Sequence, residues 1–225
     1  MKAFIICLSK IIPSYESGKR LQKELSNFEI NAELFEGSYG NIIKDTYSKL
    51  NRKHHPWTFK GPDNPVSEEW KLEQSTPGVI GCFDSHYRLW EKCVELDEPI
   101  MIFEDDAQVI REYMPVEFDD VLSLVFSHEK KMRQYIHLLE DPAGIPQALP
   151  YKPASMPGAA GYIIKPHAAK IIVDEYHNSF LPADNAMNQH LVKIQIHSYI
   201  MGKAIDRDKT DNKSSLIRTH YWDKL

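Results

Sequence analysis

The sequence lacks the long apolar runs that membrane proteins need. No segment of its 225 residues approaches the roughly 18 consecutive apolar residues of a membrane-spanning helix. The apolar start covers only residues 3–8 and is followed at once by Ser9 and Lys10, so it is too short for the core of a signal peptide. It also has no small-residue cleavage site after it. We interpret it as a buried first strand. We expect a cytoplasmic protein, or one that is peripheral to the inner membrane.

Cysteine is scarce, since the chain contains only Cys7, Cys82 and Cys93. The number is odd, and no two of them stand in Cys-x-x-Cys spacing. This usage is typical of a protein in a reducing compartment and predicts structural thiols rather than disulfides.

An excess of charge of one sign is also absent. The chain has 27 basic and 32 acidic residues, a net charge of −5 and a pI near 6.1. This balance argues against a protein that binds nucleic acid through bulk charge, although it leaves room for a local basic groove. With 42% hydrophobic residues, no internal repeat and no low-complexity tract, the chain has an ordinary globular composition. Its length corresponds to one or two domains.

The apolar patterning predicts alternating strands and helices. The predicted strands are residues 3–8, 32–36, 99–103, 135–139 and 160–164. The predicted helices are residues 18–28, 78–96, 119–126, 166–176 and 183–194. This alternation predicts an α/β fold with a mostly parallel sheet flanked by helices. The Pro-rich residues 51–78 form either a functional loop over a site or a disordered insertion, and their aromatic residues favour the loop.

Three adjacent carboxylates, those of Glu104, Asp105 and Asp106, follow the predicted strand 99–103. Open α/β sheets bind ligands at the carboxyl ends of their strands. In an extended segment Glu104 and Asp106 point to one side and Asp105 to the other. Two hard oxygen ligands on one side suit Mg²⁺ or Mn²⁺, which take one or two carboxylates together with substrate phosphates. A solvated turn after the strand is the alternative, and spacing alone does not separate the two.

Two segments extend this motif: residues 78–92 (GVIGCFDSHYRLWEK) and residues 99–107 (PIMIFEDDA). They contain a Gly-x-x-Gly-Cys-x-x-Ser-His helix, a Leu-Trp pair one turn later, and an apolar strand that ends in Glu-Asp-Asp. This pattern resembles glycosyltransferase family 25, which includes bacterial lipooligosaccharide galactosyltransferases and collagen galactosyltransferases. Residues 158–164 and 182–187 resemble later segments of the same family. Asp84 departs from the pattern, because the family usually has an apolar residue there.

The resemblance implies a GT-A-type fold and an inverting transfer, typically of galactose from UDP-galactose. It implies one domain over residues 1–225, with residues 1–110 on the donor side and residues 111–225 on the acceptor side. The implied partners are a nucleotide-sugar donor, a glycan or other hydroxyl acceptor, and Mn²⁺ or Mg²⁺. It also suggests a role in lipopolysaccharide biosynthesis.

Candidate donor-side residues follow from the motif and from position. Glu104 and Asp106 are the expected metal ligands, and His220 in residues 218–222 (RTHYW) is a further candidate that would complete the metal shell or stack on the nucleotide. Asp105 is a candidate nucleotide contact or a turn cap. Lys19 and Arg20 follow the first strand, where they would meet the diphosphate or form an exposed helix start.

The candidate general base is Asp184, which begins a predicted helix and matches the resemblance, with a helix N-cap as the alternative. The pair at residues 140–141 is a second candidate or a solvated turn. His86 is either a core histidine or a tether between helix and sheet near the site. The basic run at residues 52–55 would be surface charge or a contact for an anionic acceptor.

The leading hypothesis is therefore a metal-dependent glycosyltransferase that uses a UDP-sugar. The residues alone also allow two alternative functions. One is a metal-dependent phosphoester hydrolase or nucleotidyltransferase that uses the same carboxylates. The other is a degenerate sugar-binding protein without catalytic activity.

Overall fold

The computed structural model describes residues 1–109, 112–124, 148–150, 155–156, 158–197 and 205–207. The helices are α1 (Ile12–Ser26), α2 (Gly40–Lys49), α3 (Glu68–Gln74), α4 (Pro77–Leu96), α5 (Pro166–Glu175) and α6 (Ala183–Ala186). The strands are β1 (Lys2–Cys7), β2 (Ala32–Glu36), β3 (Lys53–His54), β4 (Trp57–Thr58), β5 (Gly61–Pro65), β6 (Ile100–Glu104), β7 (Ala107–Val109), β8 (Val121–Ser123), β9 (Ala148–Pro150), β10 (Gly161–Ile164), β11 (Ser179–Phe180), β12 (Ile194–His197) and β13 (Ile205–Arg207).

A seven-stranded sheet with the order β2-β1-β6-β10-β8-β12-β9 forms the centre of the fold. Strands β2, β1, β6, β8 and β12 run in one direction, and β10 and β9 run in the other. The expectation of a mainly parallel sheet flanked by helices is therefore confirmed, and the architecture is consistent with the expected GT-A-type fold.

The central strands are apolar on both faces because helices cover both. Ile5 of β1 lies in one core cluster with Leu21 and Leu25 of α1, whereas the neighbouring Phe4 lies in the other cluster with Trp90 of α4. Successive residues of a strand point to opposite faces, so one strand supplies both cores. Helix α5 packs beside α4 on the second face. This arrangement places α4 over β6, the strand that ends in the acidic motif.

Two predicted helices are wrong. Residues 119–126 were expected to be helical, but Val121–Ser123 is the buried strand β8, and the residues beyond 124 lie outside the described part. A short segment that is apolar on both faces has no period by which to tell a strand from a helix. The helix predicted over residues 183–194 ends at Ala186, and strand β12 begins at Ile194. It ends there because the Asn188 side chain donates to the carbonyls of Asn185 and Ala186.

The Pro-rich residues 51–78 hold β3, β4, β5, α3 and the start of α4. Strand β3 pairs with β11, and the Arg52 guanidinium donates to the carbonyl oxygens of Tyr176 and Ser179, at 2.5 and 3.1 Å. The segment is therefore an ordered part of the fold, against the alternative of a disordered insertion. Arg52 is half-buried and His55 is buried, so these two members of the basic run are not surface charge.

The strand predicted at 135–139 and the carboxylate pair at 140–141 lie outside the described residues. Among the helices that the structure describes, none is both long and apolar enough to span a membrane.

Candidate functional site

The carboxyl ends of β1, β2 and β6 meet at one edge of the sheet. These strands are parallel neighbours, and their register pairs Cys7 with Glu36 and Ile6 with Glu104. The turn that follows β1 is tied to the turn after β2, since Ser9 N–H donates to Glu36 and Lys10 N–H donates to the Tyr39 hydroxyl. Loops from three strands thus surround the acidic end of β6, which is the usual ligand-binding edge of such a sheet.

Helix α4 joins this edge through the Gly-x-x-Gly-Cys-x-x-Ser-His motif. At Gly81 a Cβ atom would lie 2.6 Å from the Ser38 carbonyl oxygen, so only glycine allows the helix to approach the turn after β2 this closely. Ser85 Oγ accepts a hydrogen bond from Ser38 N–H at 2.8 Å and donates to the Gly81 carbonyl at 2.7 Å. The glycine and the serine therefore hold α4 against the turn that follows β2.

The cysteine and histidine of the same motif contact the acidic strand end. Cys82 and His86 lie four positions apart, so their side chains share one face of α4. Cys82 Sγ lies 3.6 Å and His86 Nε2 lies 3.5 Å from Glu104 Oε1. The three ligand atoms lie within 4.8 Å of one another, which is close enough for a single metal ion. His86 is fully buried and tethers the helix to the sheet, as one of its two interpretations expected.

Asp105 points away from Glu104, as the strand alternation predicts. Its carboxylate accepts a short hydrogen bond from the hydroxyl of Ser14 in α1, on the opposite face of the sheet. Burial raises the pKa of Asp105 to about 7, and the negative charges of Asp106 and Glu104 act in the same direction. The Ser14 hydrogen bond opposes this shift by stabilising the carboxylate.

Arg20 also lies at the acidic turn, but it contacts the backbone. Its guanidinium donates to the carbonyl oxygens of Ala107 at 2.9 Å and Asp105 at 3.3 Å, and it pairs with Glu24 at 3.7 Å. Lys19 instead pairs with Glu16 at 2.6 Å in its own helix. The two basic residues thus separate, and only Arg20 reaches the turn that carries the carboxylates.

Because Asp105 is held by Ser14 on the opposite face, Glu104 and Asp106 are the two carboxylates of the motif that could bind a hard cation. Both are half-buried at the end of β6, and their oxygen atoms are the ligand type that Mg²⁺ and Mn²⁺ prefer. The donor set therefore fits the implied cation by its chemistry. His220, the other candidate ligand, lies outside the described residues.

Asp184 lies in the first turn of α6, which packs against α4. The residue at the N-cap is Pro182, so Asp184 is not itself the cap that one interpretation expected. Its carbonyl oxygen accepts a hydrogen bond from Met156 N–H at 3.1 Å, and its side chain is half-buried.

Asp84 occupies the position where the family pattern has an apolar residue. It is buried beside the site, with 5% of its surface exposed. The Tyr47 hydroxyl donates to Oδ1 at 2.8 Å, and the Ser38 hydroxyl donates to Oδ2. Two hydroxyl donors on neighbouring elements therefore satisfy this buried carboxylate.

Sequence reasoning missed the hydrogen bonds that Ser14, Tyr162 and Trp90 make around the site. Ser14 holds Asp105, while the Tyr162 hydroxyl lies 2.8 Å from His86 Nδ1 and accepts from Trp90 Nε1 at 2.9 Å. A signal existed for Trp90, since it follows His86 by four positions on the same helix face. Ser14 and Tyr162 meet their partners only through the tertiary fold.

A family model matches most of the chain. The model described as glycosyltransferase family 25 (LPS biosynthesis protein) matches residues 1–187 of the 225. The matched part includes the three strand ends, the motif on α4 and the first turn of α6. A search of curated proteins finds no match.

Proposed function

Because the chain belongs to glycosyltransferase family 25, we propose that it transfers a hexose, galactose or glucose, from a UDP-sugar to an acceptor hydroxyl with inversion at the anomeric carbon. The family description favours a lipopolysaccharide saccharide as the acceptor. The observation that carries the proposal is the position of Glu104 and Asp106 at the ligand-binding edge of the sheet. There the family's own helix motif, through Cys82 and His86, contacts Glu104.

We assign donor binding to this edge. Glu104 and Asp106 would hold Mn²⁺ or Mg²⁺, whose charge would offset the negative charge that develops on the leaving diphosphate. The turns after β1 and β2 flank these carboxylates and provide the remaining walls for the nucleotide. Arg20 fixes the backbone of the turn, so its role in donor binding is to hold the carboxylates in place.

We assign the general base to Asp184. An inverting transfer needs a carboxylate that takes the proton from the acceptor hydroxyl as its oxygen attacks the anomeric carbon. The bond between that carbon and the diphosphate oxygen breaks in the same step, and its electron pair leaves with the diphosphate. The position of Asp184 supports this assignment. Its side chain is half-buried on α6, and α6 packs against α4, the helix that contacts Glu104.

Donor binding tests the proposal directly. Calorimetric titration of the protein with UDP-, GDP- and CMP-sugars, with and without Mn²⁺, should give binding for a UDP-sugar that depends on the metal. Slow hydrolysis of the best donor would then identify the hexose, and acceptor trials would follow. Release of phosphate from simple phosphoesters at a higher rate than from the UDP-sugar would indicate a hydrolase. Absence of all donor binding would refute the proposal.

A further inference from the structure

A buried chain of polar groups leads from the core to Glu104. Trp90 Nε1 lies 2.9 Å from the Tyr162 hydroxyl oxygen, and that oxygen lies 2.8 Å from His86 Nδ1. All three side chains are fully buried, and His86 Nε2 then faces Glu104 Oε1 at 3.5 Å.

The direction of this chain follows from which groups can donate. The Trp90 indole nitrogen is a donor only, so the Tyr162 oxygen must accept from it. The Tyr162 hydroxyl hydrogen then needs an acceptor, and among the described residues its remaining hydrogen-bonding partner is His86 Nδ1. A buried hydroxyl without an acceptor is unfavourable, because it loses the hydrogen bond that it made to water in the unfolded chain. Nδ1 is therefore the acceptor, and the histidine hydrogen resides on Nε2.

The contact with Glu104 requires the same tautomer. An Nε2–H group facing a carboxylate oxygen is attractive, whereas an Nε2 lone pair in that place would be repulsive. The distance of 3.5 Å is long for a hydrogen bond, and contacts in ligand-free active sites often tighten only in the complex. The His86 ring cannot turn away, because it stacks on Tyr162 at 5.7 Å between ring centres and lies against Trp90.

We propose that Trp90, Tyr162 and His86 form a directed hydrogen-bond relay that fixes His86 as an Nε2–H donor and so orients the Glu104 carboxylate for ligand binding. His86 and Tyr162 are positioning residues in this account. The relay also decides against a metal ion held by Cys82, His86 and Glu104, because that ion would need the Nε2 lone pair. The part of the inference that concerns ligand binding rests on the proposed function.

The tautomer can be measured in the unaltered protein. With ¹⁵N-labelled histidine, the His86 signals are assigned by their loss in His86→Gln among the ten histidines of the chain. The relay predicts an unprotonated Nδ1 and a protonated Nε2. The opposite tautomer would overturn the proposal. So would a thiolate-to-cobalt absorption band on Co²⁺ addition that disappears both in Cys82→Ser and in His86→Gln, since loss in both variants would show a metal ion held by Cys82 and His86 together.

Tyr162→Phe tests the consequence for Glu104. It should shift the His86 signals towards a mixture of tautomers and weaken Mn²⁺ binding, measured by electron paramagnetic resonance, about tenfold, as second-shell changes commonly do. Tyr176→Phe is the matched control, since it removes another buried hydroxyl, one that contacts Asn188. It should change neither the His86 tautomer nor the affinity for Mn²⁺.

The outcomes separate the relay from the proposed function. Unchanged Mn²⁺ affinity in Tyr162→Phe, with a changed tautomer, would refute the positioning role. A wild-type protein that binds neither Mn²⁺ nor a UDP-sugar would refute both the proposed function and the positioning role. The ¹⁵N histidine spectrum of the wild-type protein would still decide whether the relay exists.

Discussion

The side-chain oxygen of Ser85 accepts a hydrogen bond from the backbone N–H of Ser38 at 2.8 Å. This bond joins the middle of α4 to the turn after β2, through two residues that are 47 positions apart in the sequence. On its other side the same helix contacts Glu104 through Cys82 and His86. The motif on α4 therefore connects the ends of β2 and β6 and fixes the two sides of the proposed donor site relative to each other.

Gly81→Ala tests this connection. The added Cβ would lie 2.6 Å from the Ser38 carbonyl oxygen and 3.0 Å from Gly40, and both neighbours are backbone atoms that cannot move aside cheaply. We expect the free energy of unfolding, measured by urea denaturation, to fall by about 1–3 kcal/mol. Donor binding should weaken as well, because the two turns would separate. Glu95→Ala, near the far end of the same helix, should change neither. Full stability in Gly81→Ala would show that the contact is loose.

Asp84→Asn tests the buried carboxylate that departs from the family pattern. One carboxylate oxygen would become an amide N–H₂ facing a hydroxyl donor, either that of Tyr47 or that of Ser38. We expect a loss of about 1–3 kcal/mol in the free energy of unfolding, because a buried hydroxyl loses its acceptor. Asp174→Asn is the control, since that carboxylate is exposed and pairs with the exposed Lys170. Equal stabilities of the two variants would mean that the hydroxyl donors find other acceptors.

The sequence was sufficient to predict the elements that carry the site. The helix with the glycine motif and strand β6 were predicted within about one residue. The helix has a clear period and a Pro-Gly start, and the strand is a short apolar run that follows a Pro. The opposite orientations of Glu104 and Asp105 followed from strand alternation alone.

The contacts of these residues could not be predicted, because they depend on the packing of distant elements. Ser14 and Asp105 are separated by 91 positions, and no spacing rule relates α1 to the turn after β6. Likewise, Tyr162 meets His86 only because β10 runs antiparallel beside β6, whereas alternating elements predict a parallel neighbour. Strand β8 was missed because both of its faces are buried.

Glu104→Gln tests the proposed cation site. Loss of the charge should weaken the Mn²⁺-dependent binding of the UDP-sugar at least about tenfold, since the cation loses an anionic ligand. Calorimetry with and without Mn²⁺ measures the difference, and removal of the metal with a chelator should bring the wild-type protein to the affinity of the variant. Glu98→Gln is the control, because Glu98 lies just before the start of β6, away from the acidic end, and pairs with Lys2. If donor binding by Glu104→Gln depended on Mn²⁺ as strongly as in the wild-type protein, other residues would have to hold the cation.

Asp184→Asn tests the proposed base. The amide is similar in shape but cannot take a proton, so transfer should fall more than about a hundredfold while donor binding is retained. Initial rates of transfer and calorimetric affinity for the UDP-sugar measure the two effects separately. Asp174→Asn serves as the control here too, because it lies on an exposed face of α5. A loss of less than tenfold in transfer would place the base at another residue.

His55 should make stability depend on pH. Burial lowers the pKa of His55 to about 4, below the value near 6.5 of an unfolded histidine, and the neighbouring His54 acts in the same direction. Between pH 6.5 and 4 the unfolded chain therefore binds a proton that the folded chain does not, so this contribution to stability is complete above pH 6.5 and is lost as the pH falls to 4. The loss should be at most about 3 kcal/mol, and the Glu175 carboxylate at 3.4 Å should reduce it.

Urea denaturation at a series of pH values measures this effect as the difference between the wild-type protein and His55→Gln. The variant should have a shallower slope between pH 6.5 and 4, because it has no group to protonate there, whereas the exposed control His177→Gln should keep the wild-type slope. The same slope in His55→Gln and in the wild-type protein would mean that the imidazole titrates alike in the folded and unfolded chains. In that case Glu175, which faces Nε2, compensates fully for the burial of the ring between Trp57 and Tyr176.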